Sequence, residues 1–573
     1  MRSPNINIAL LQHHSMPGNV SGNLSKLSNY YHNTINKYPD LDLLVAGELA
    51  LSGYTPLDEL YKAEYLSQLQ QAILTLAKLT SKQKAALIFS DAYLDTNGEL
   101  YNTAYFLQNG SIAKIIKKQK LVDNDIFNET RYFTGGKNVN SFIELKEFKL
   151  AVVVCEDLWH KEVVDALLNS NVQGIISVNA SPYYKNKLQQ RLKVANYAAK
   201  SLNAPVIYAN IVGGVDGVVF DGQSFVLNKN QEVVTKLSLA QEELSMVTLT
   251  QEGNIVSNIK NNSSGINLNN AVKKTNNLEL STDLAQEFYE VIQVGFKDFI
   301  TDNNFKGVII GVSGGIDSAL SAVIAADTLG SNKVIAVSMP SLYTSSLSKT
   351  IITKLVANLG VKLHEVPITD IFKQYTDCNN FNLALSGNNN EIVQENLQSR
   401  IRGTILMGLA NSYPGYVVLC NGNKSEMATG YFTLYGDSCG AFNLIKDLFK
   451  TEVFSLASWR NQNCSIHSKL NKLNLIPEDC ITRAPSAELK HGQTDEAALL
   501  PYALLDEILQ NIIEHNLSYK DLITKFSKKD VDLVLKLLKS SEYKRKQGVI
   551  GIKLKNKSFG KEWQFPITNG FKQ

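Results

Sequence analysis

The sequence predicts an α/β protein with two domains, and two observations support this prediction. Short apolar segments of strand length alternate with helical patterns along most of the chain. The alternation stops over 251–277, where the chain is rich in Asn, Ser and Gly and shows little periodicity. Because 573 residues exceed one ordinary domain, we predict domains at 1–250 and 283–573 with a linker over 251–282.

The first half holds several strand segments that are apolar without interruption, such as KLAVVVC and GIISVNA. A strand has this composition when both faces of its sheet are covered. Helical patterns separate some of these segments, notably over 62–80 and 187–202. The first domain is therefore expected to pack buried strands against helices.

The second half begins with a helical segment that leads into the strand GVIIGV. Three further apolar strands follow, KVIAVSMP, VKLHEVPI and YVVLCNG, and helices are predicted around 345–359 and 391–410. Alternation of this length favours a doubly wound, mostly parallel (Rossmann-like) sheet.

Composition argues against several classes of protein. The chain carries 57 Lys and Arg against 54 Asp and Glu, a net charge of +3, which does not suit a general nucleic-acid binder. We find no apolar run of membrane-spanning length, no secretory signal, and no CxxC pair among the six cysteines. These features predict a cytoplasmic protein with reduced thiols that binds neither nucleic acid nor membrane.

One dense basic stretch lies near the C-terminus, with Lys544, Arg545 and Lys546 followed by Lys553, Lys555 and Lys557. We predict a solvated surface segment there, with phosphate contacts to a bound nucleotide as the alternative.

The most specific motif is SGGIDS, which joins the strand GVIIGV to an Ala-rich helix. The two glycines let the backbone approach an anion closely, and the helix N-terminus offers unpaired N–H groups. The two serines add hydroxyl donors, and the aspartate suits a Mg²⁺ ion that bridges phosphates. The motif is neither GxxxxGK[ST] nor GxGxxG, which argues against an ordinary P-loop protein and against a dehydrogenase. The predicted phosphate-binding residues are Ser313, Gly314, Gly315, Ile316, Asp317 and Ser318.

SGGIDS resembles the loop of the ATP pyrophosphatases, which cleave ATP between the α and β phosphates. Further segments are similar to the NAD synthetases within that group: NKSE with GYFTLYGD, NLQSRIR, and RAPSAEL. The resemblance covers most of 283–573. It implies a domain that binds ATP and deamido-NAD.

The same resemblance implies roles for individual residues. Asp317 and Glu426 would be ligands of Mg²⁺, and Lys450 would join the SGGIDS loop in contacting the phosphates of ATP. The implied contacts to deamido-NAD are Arg400, Arg402, Asn423 and Thr433. The two arginines could equally lie on the surface of a helix.

In the first half, Cys155 ends the strand KLAVVVC where a buried strand meets a polar turn. A lone cysteine there is more often a core residue, and a nucleophile needs both a base and an oxyanion partner. None of the eight histidines forms a recognisable cysteine–histidine motif. The other route is a carboxylate with a lysine, with Glu48 as the base and Lys117, Lys118 or Lys120 as the lysine.

In the order Glu, Lys, Cys, these segments resemble the nitrilase (carbon–nitrogen hydrolase) superfamily, which uses a Glu–Lys–Cys triad. The lysine of that family stands three residues before a leucine, which selects Lys118 before Leu121. The segments are most similar to the glutaminase domains attached to NAD synthetases, which implies a nitrilase-like α-β-β-α sandwich. The implied glutamine pocket consists of Tyr54, Glu129, Glu156, Ser181 and Arg191.

Four positions depart from the pattern of that family. Gly47 stands where the family usually has proline, and Val122 replaces the proline of an LP pair. Ile211 and Gly217 replace polar residues of a QVGGQDELVFDG-like stretch. The triad is intact, so glutaminase activity is expected.

The two resemblances imply one reaction sequence. Cys155, deprotonated by Glu48, would attack L-glutamine while Lys118 stabilises the oxyanion, and ammonia would leave. ATP would adenylate deamido-NAD, and amidation by ammonia would give NAD, AMP and pyrophosphate. NAD is then a product, so no redox cofactor is expected, and the family implies a homo-oligomer. The alternatives are amidation of another acceptor, such as a nucleotide base or tRNA, and a non-enzymatic nucleotide-binding protein.

Overall fold

The computed structural model describes residues 5–82, 85–124, 126–137, 141–257, 280–378, 390–493 and 499–571. The chain separates into two compact units, one of Met1–Val215 and Val219–Lys273 and one of Asp216–Val218 and Lys274–Gln573. Most of the linker predicted over 251–282 lies outside the described residues. At its two ends, Ile255–Ser257 form a strand and a helix begins at Thr282. The domain limits stay a prediction.

The strands of the first unit form two large sheets and a short ribbon. They are β1 (Asn5–Gln12), β2 (Leu43–Val45), β3 (Ala86–Leu94), β4 (Leu100–Gln108), β5 (Ser111–Lys117), β6 (Phe142–Leu145), β7 (Phe148–Val154), β8 (Gly174–Asn179), β9 (Val206–Asn210), β10 (Val212–Val215), β11 (Val218–Asp221), β12 (Phe225–Leu227), β13 (Val233–Lys236), β14 (Glu243–Thr250) and β15 (Ile255–Ser257). One sheet has the order β15-β14-β1-β2-β3-β4-β5, the other β13-β12-β9-β8-β7-β6, and β10 pairs with β11. Each large sheet has parallel strands at its centre, β1-β2-β3 and β7-β8-β9.

The two sheets face each other across a shared apolar core. Successive side chains of a strand point to opposite faces, so alternate residues of β1 and β7 enter this core: Ile6, Ile8, Leu10, Leu150, Val152 and Val154. The intervening Ala151 and Val153 instead pack in a second core that contains Leu192 and Ala195 of a helix. The helices of this unit are α1 (Val20–Lys37), α2 (Ala63–Leu79), α3 (Lys161–Asp165) and α4 (Lys187–Leu202). Helix α2 contacts β3 and helix α4 contacts β9, which gives the predicted α-β-β-α sandwich.

The second unit contains a six-stranded sheet whose five strand pairings are all parallel. Its strands are β16 (Gly307–Gly311), β17 (Val334–Ser338), β18 (Lys362–Glu365), β19 (Tyr416–Cys420), β20 (Phe442–Asn443) and β21 (Ile550–Gly551). The order β18-β17-β16-β19-β20-β21 reverses direction between β16 and β19. Ligands of doubly wound sheets bind at such a reversal, beyond the carboxyl ends of the strands. The predicted parallel sheet is confirmed.

Helices cover both faces of this sheet. They are α5 (Thr282–Asp302), α6 (Ile316–Leu329), α7 (Ser346–Leu359), α8 (Thr369–Thr376), α9 (Asn390–Ser412), α10 (Lys424–Thr429), α11 (Lys450–Gln462), α12 (Glu478–Thr482), α13 (Tyr502–Ile513), α14 (Tyr519–Lys525), α15 (Lys528–Ser540) and α16 (Glu542–Arg545). Ile309 and Val337 of the sheet pack with Phe372 of α8 and Leu406 of α9. Helix α6 contacts α5 and α11. Within the described parts of the chain, no helix is long and apolar enough to cross a membrane.

The basic stretch near the C-terminus is not a solvated surface, so that prediction was wrong for most of its members. Lys555 is fully buried and pairs with Glu452, and Lys553 lies 2.7 Å from Glu562. Lys544 donates to the carbonyl oxygens of Gly430 and Phe432 at 2.7 and 2.6 Å. Carboxylates and carbonyls that are distant in sequence are the protein partners of these cations, and the alternative of phosphate contacts stays a prediction.

Two candidate active sites

The three residues of the predicted triad each lie just beyond the end of a strand in the first unit. Glu48 is three residues beyond β2, Lys118 directly follows β5, and Cys155 directly follows β7. Glu48 and Lys118 are fully buried, and Cys155 is 8% exposed. The Lys118 ammonium donates to Glu48 Oε1 at 2.8 Å, whereas Lys117 pairs with Asp95 and Lys120 with Glu162. The structure therefore brings Lys118, of the three candidates, to Glu48.

The carboxylate of Glu48 is held by three donors. Oε1 accepts hydrogen bonds from Lys118 Nζ at 2.8 Å and from Asn102 Nδ2 at 2.7 Å. Oε2 accepts one from the backbone N–H of Ala180 at 2.8 Å. These donors fix the orientation of the carboxylate, as a general base requires.

Glu129, predicted for the glutamine pocket, shares the lysine with Glu48. Lys118 Nζ donates to Glu129 Oε1 at 2.9 Å, and the hydroxyl of Tyr54 donates to the same oxygen at 3.2 Å. Burial raises the pKa of the Glu129 carboxyl, while the Lys118 ammonium opposes this rise. Burial lowers the pKa of Lys118, but Glu129 and Glu48 outweigh it and hold that pKa well above its usual range. The lysine therefore stays protonated, as an oxyanion partner must.

Cys155 begins a tight turn, Cys155–Trp159, at the end of β7, and its φ of 45° lies in the left-handed region. A non-glycine residue in this region is strained, and such strain is concentrated at functional sites. Burial and the charge of Glu48 raise the pKa of the Cys155 thiol, and Lys118 opposes them. The resting group is thus a thiol, which needs a neighbouring base to become a nucleophile.

The other predicted pocket residues occupy different surroundings. Arg191 is completely buried and donates to both carboxylate oxygens of Asp221, at 2.7 and 3.0 Å. Its Nε also donates to Ser181 Oγ at 3.0 Å. Glu156 is partly exposed and lies 3.4 Å from His160. Arg191 therefore supports the chain at Ser181, and the roles of Glu156, Ser181 and Arg191 toward glutamine stay predictions.

Asn102 is a site residue that sequence reasoning missed. It lies on β4, is fully buried, and donates to Glu48 with its side chain. Its backbone carbonyl accepts from Lys118 N at 2.7 Å, and its Oδ1 accepts from Ser90 Oγ at 3.1 Å. One residue thus contacts both the base and the lysine. The only available signal was a polar residue inside the apolar segment LYNTAYFLQ.

In the second unit, the SGGIDS loop connects β16 to α6, as predicted. Ser318 Oγ donates to Gly315 O at 3.1 Å and accepts from Ser313 N at 3.2 Å, which closes the turn. Gly314 has φ +82°, and a Cβ there would lie 2.9 Å from the carbonyl oxygen of Ser348. Glycine is therefore required for both conformation and space. The loop places the N-terminus of α6, at Ile316, toward a cavity of about 290 Å³.

Charged groups gather at one end of this cavity. Lys450, the first residue of α11, pairs with Asp317 and lies 3.6 Å from Glu426 Oε1. Asn423 caps α10 by accepting from Glu426 N at 3.0 Å, and its Nδ2 donates to Asp317 Oδ1 at 2.9 Å. The structure therefore brings both predicted metal ligands to one lysine. The lysine can balance negative charge on bound phosphates, whereas the two carboxylates would do so through a cation that they hold.

One of the four predicted contacts to deamido-NAD lies in the lining of the cavity. Arg402 lines the cavity, donates to Met339 O at 3.1 Å, and has its pKa lowered to about 10 by burial. Among the described residues, Arg400, Asn423 and Thr433 are absent from the lining of that cavity. Thr433 Oγ1 donates to Asn396 at 2.7 Å, and Arg400 Nε donates to Leu434 O at 3.3 Å. The deamido-NAD contacts stay predictions.

The oxygen donors near Lys450 suit a hard cation. Mg²⁺ is commonly held in proteins by one or two carboxylates, with phosphates and water completing its shell. Asp317 and Glu426 supply those two carboxylates. In the part of the chain that the structure describes, no group of three or more His, Cys, Asp or Glu side chains could hold a metal by itself. The donor set thus fits an ion shared with a bound nucleotide.

The fold and these two sites define a carbon–nitrogen hydrolase joined to an ATP-dependent synthase. The family model described as carbon-nitrogen hydrolase matches residues 7–254, and that described as NAD synthase matches residues 288–548. The chain is 36% identical to the glutamine-dependent NAD(+) synthetase of Thermotoga maritima over 99% of both chains. It is also 36% identical to that of Acinetobacter baylyi, over 99% of this chain and 98% of the relative. The chain belongs to the family of glutamine-dependent NAD(+) synthetases.

One solved structure agrees with this assignment, and a second shares the fold. One is the glutamine-dependent NAD+ synthetase of Acinetobacter baumannii in complex with ADP, which is 32% identical with a TM-score of 0.75 over 99% of both chains. The other, from Cytophaga hutchinsonii, has a TM-score of 0.81 at 16% identity, over 99% of this chain and 98% of that one. The second similarity supports the fold alone.

Proposed function

We propose that Glu48, Lys118 and Cys155 carry out the glutamine hydrolysis of this glutamine-dependent NAD synthetase. The observation that carries the proposal is the buried Lys118, which bridges Glu48 and Glu129 beside the Cys155 thiol. Glu48 takes the thiol proton, and the thiolate attacks the side-chain amide of glutamine. The Lys118 ammonium stabilises the oxyanion, ammonia leaves, and water releases glutamate from the acyl-enzyme.

In the second unit, we propose that the SGGIDS loop and Lys450 bind the phosphates of ATP. The N-terminus of α6 and the serine hydroxyls donate to phosphate oxygens, and Lys450 balances charge on the departing pyrophosphate. Asp317 and Glu426 would hold Mg²⁺, which supplies Lewis-acid stabilisation of the phosphates when bound. Arg402, which lines the cavity together with Lys450 and Arg483, would orient the anionic substrate.

The reaction follows from the two activities. Adenylation of the nicotinate carboxylate of deamido-NAD releases pyrophosphate, and ammonia from glutamine displaces AMP to form NAD. We further propose a homo-oligomer in the cytoplasm, with domains at 1–250 and 283–573. The six cysteines, all free in the structure, suit a reducing compartment.

A substitution at the nucleophile tests the assignment of the first site. Cys155→Ala should abolish NAD formation supported by glutamine and leave formation supported by ammonium chloride within about twofold of wild type. Cys378→Ala, which changes an exposed cysteine, is the matched control and should behave as wild type with both nitrogen sources. Glutamine-supported synthesis by Cys155→Ala, or equal loss of both activities in folded protein, contradicts the proposal.

A further inference from the structure

The chain just before Glu48 packs against the side chain of Ile211. Gly47 precedes the base, and a Cβ built on it would lie 2.4 Å from Ile211 Cγ2. Ile211 is 3% exposed, so its side chain has little room to move away. The Cγ2 methyl therefore fills the space that any side chain at position 47 would need.

The backbone ties the same two segments together. The carbonyl oxygen of Asn179 accepts from Glu48 N at 3.2 Å and from Ile211 N at 3.2 Å. Gly47 is not among the residues with positive φ, so its backbone conformation is open to other residues. The steric conflict is chiefly with one methyl group on a β-branched side chain, which is stiff at χ1.

We propose that Ile211 is a positioning residue for Glu48: its Cγ2 methyl holds the chain at Gly47 and so sets where the base stands. The inference rests on the proposed function, because it takes Glu48 as the base. It also makes positions 47 and 211 a coupled pair, in which a side chain at 47 requires the absence of a β-branch at 211. Two departures from the family pattern noted in the sequence therefore belong together. Glycine replaces proline at position 47, and isoleucine replaces the unbranched glutamine of the QVGGQDELVFDG-like stretch at position 211.

The size of the conflict sets the expected effect. An ordinary contact begins near 3.4 Å, so Gly47→Ala must displace the chain or Ile211 by about 1 Å. Misplacement of a catalytic group by that distance costs about 100-fold in rate. We expect Gly47→Ala to lower kcat for glutamine hydrolysis about 100-fold, with KM for glutamine within about threefold and ammonium-supported NAD synthesis unaffected.

Second substitutions at Ile211 provide matched controls. Ile211→Leu keeps the volume but removes the β-branch, whereas Ile211→Val keeps Cγ2 and removes only a terminal methyl. Combined with Gly47→Ala, the leucine should restore kcat to within about tenfold of wild type, and the valine should restore nothing. Full rescue is not expected, because the added Cβ would still lie 3.0 Å from Asn179 O. The family-like Gly47→Pro/Ile211→Gln variant should likewise exceed Gly47→Pro alone.

Each outcome decides the proposal. It is overturned if Gly47→Ala hydrolyses glutamine at the wild-type rate, or if leucine and valine rescue equally. If Gly47→Ala does not fold, single substitutions at Ile211 test the positioning role instead. Ile211→Leu should lower kcat for glutamine hydrolysis at least about tenfold, and Ile211→Val should lower it less than about threefold. Equal losses would indicate mere packing. Glu48→Gln distinguishes a failure of the proposed function from a failure of the positioning role. Hydrolysis of glutamine at the wild-type rate by Glu48→Gln refutes the proposed function. If Glu48→Gln is inactive, the results at Gly47 and Ile211 decide the positioning role by themselves.

Discussion

Replacing Asn102 with alanine is expected to slow glutamine hydrolysis about 30-fold. The Asn102 amide donates to Glu48 Oε1 at 2.7 Å, and both residues are fully buried, so water does not readily replace this donor. A hydrogen bond to a charged group contributes about 1.5–3 kcal/mol, and the loss of about 2 kcal/mol corresponds to the stated factor. The backbone carbonyl that accepts from Lys118 N remains in the variant.

Two further variants rank the effect in a glutaminase assay that measures glutamate release. Ser90→Ala removes the donor to Asn102 Oδ1, at 3.1 Å, together with the acceptor of the Leu49 N–H, at 3.2 Å, and should cost about fivefold. Asn102→Asp places an acceptor where Glu48 needs a donor and should cost more than alanine. Ammonium-supported NAD synthesis should be unchanged in all three. Wild-type hydrolysis by Asn102→Ala, or a faster aspartate variant than alanine variant, would refute the reasoning.

Three other expectations follow from buried charges. Asp221→Asn leaves Arg191 buried without its ion pair and should lower the free energy of unfolding of the first unit by about 3–5 kcal/mol, measured in urea. The control is Asp58→Asn, which removes the exposed ion pair with Arg131 and should cost less than about 1 kcal/mol. Burial lowers the pKa of His13 from 6.5 to about 4, so the unfolded chain binds the proton first as pH falls. The contribution of His13 to the free energy of unfolding should therefore fall by about 2 kcal/mol between pH 7 and pH 5. His13→Gln should reduce the dependence of the unfolding free energy on pH in this range, and an unchanged dependence would contradict the assignment to His13. Lys450→Met should lower NAD synthesis more than about 100-fold, whether glutamine or ammonium supplies the nitrogen, and should leave glutamine hydrolysis unchanged. A loss of NAD synthesis with only one of the two nitrogen sources would contradict the role of Lys450 at the phosphates.

Features that depend on neighbouring residues could be predicted from the sequence. SGGIDS combines a strand end, a glycine with positive φ and a helix start within six residues, so its geometry is local. Alternation of strand and helix likewise predicted the parallel sheet. The choice of Lys118 used a leucine three residues away, and the structure brings that lysine to Glu48.

Features set by distant partners could not be predicted in this way. From the sequence, Lys555 is predicted to be a surface lysine, because its carboxylate partner, Glu452, is 103 residues away in the chain. Asn102 contacts Glu48 across strands of the folded sheet, and nothing in its own segment identifies the partner. The contact between Gly47 and Ile211 joins segments 164 residues apart, and only the packed structure shows that these two departures meet.

Following the amide nitrogen of glutamine tests the central claim most directly. Wild-type protein is incubated with ATP, deamido-NAD and glutamine labelled with ¹⁵N at the side-chain amide, and NAD is analysed by mass spectrometry. The label should appear in the carboxamide of NAD. Cys155→Ala, given the same mixture with unlabelled ammonium chloride, should form only unlabelled NAD. Labelled NAD from Cys155→Ala, or unlabelled NAD from the wild type without ammonium, would contradict transfer through the Cys155 site.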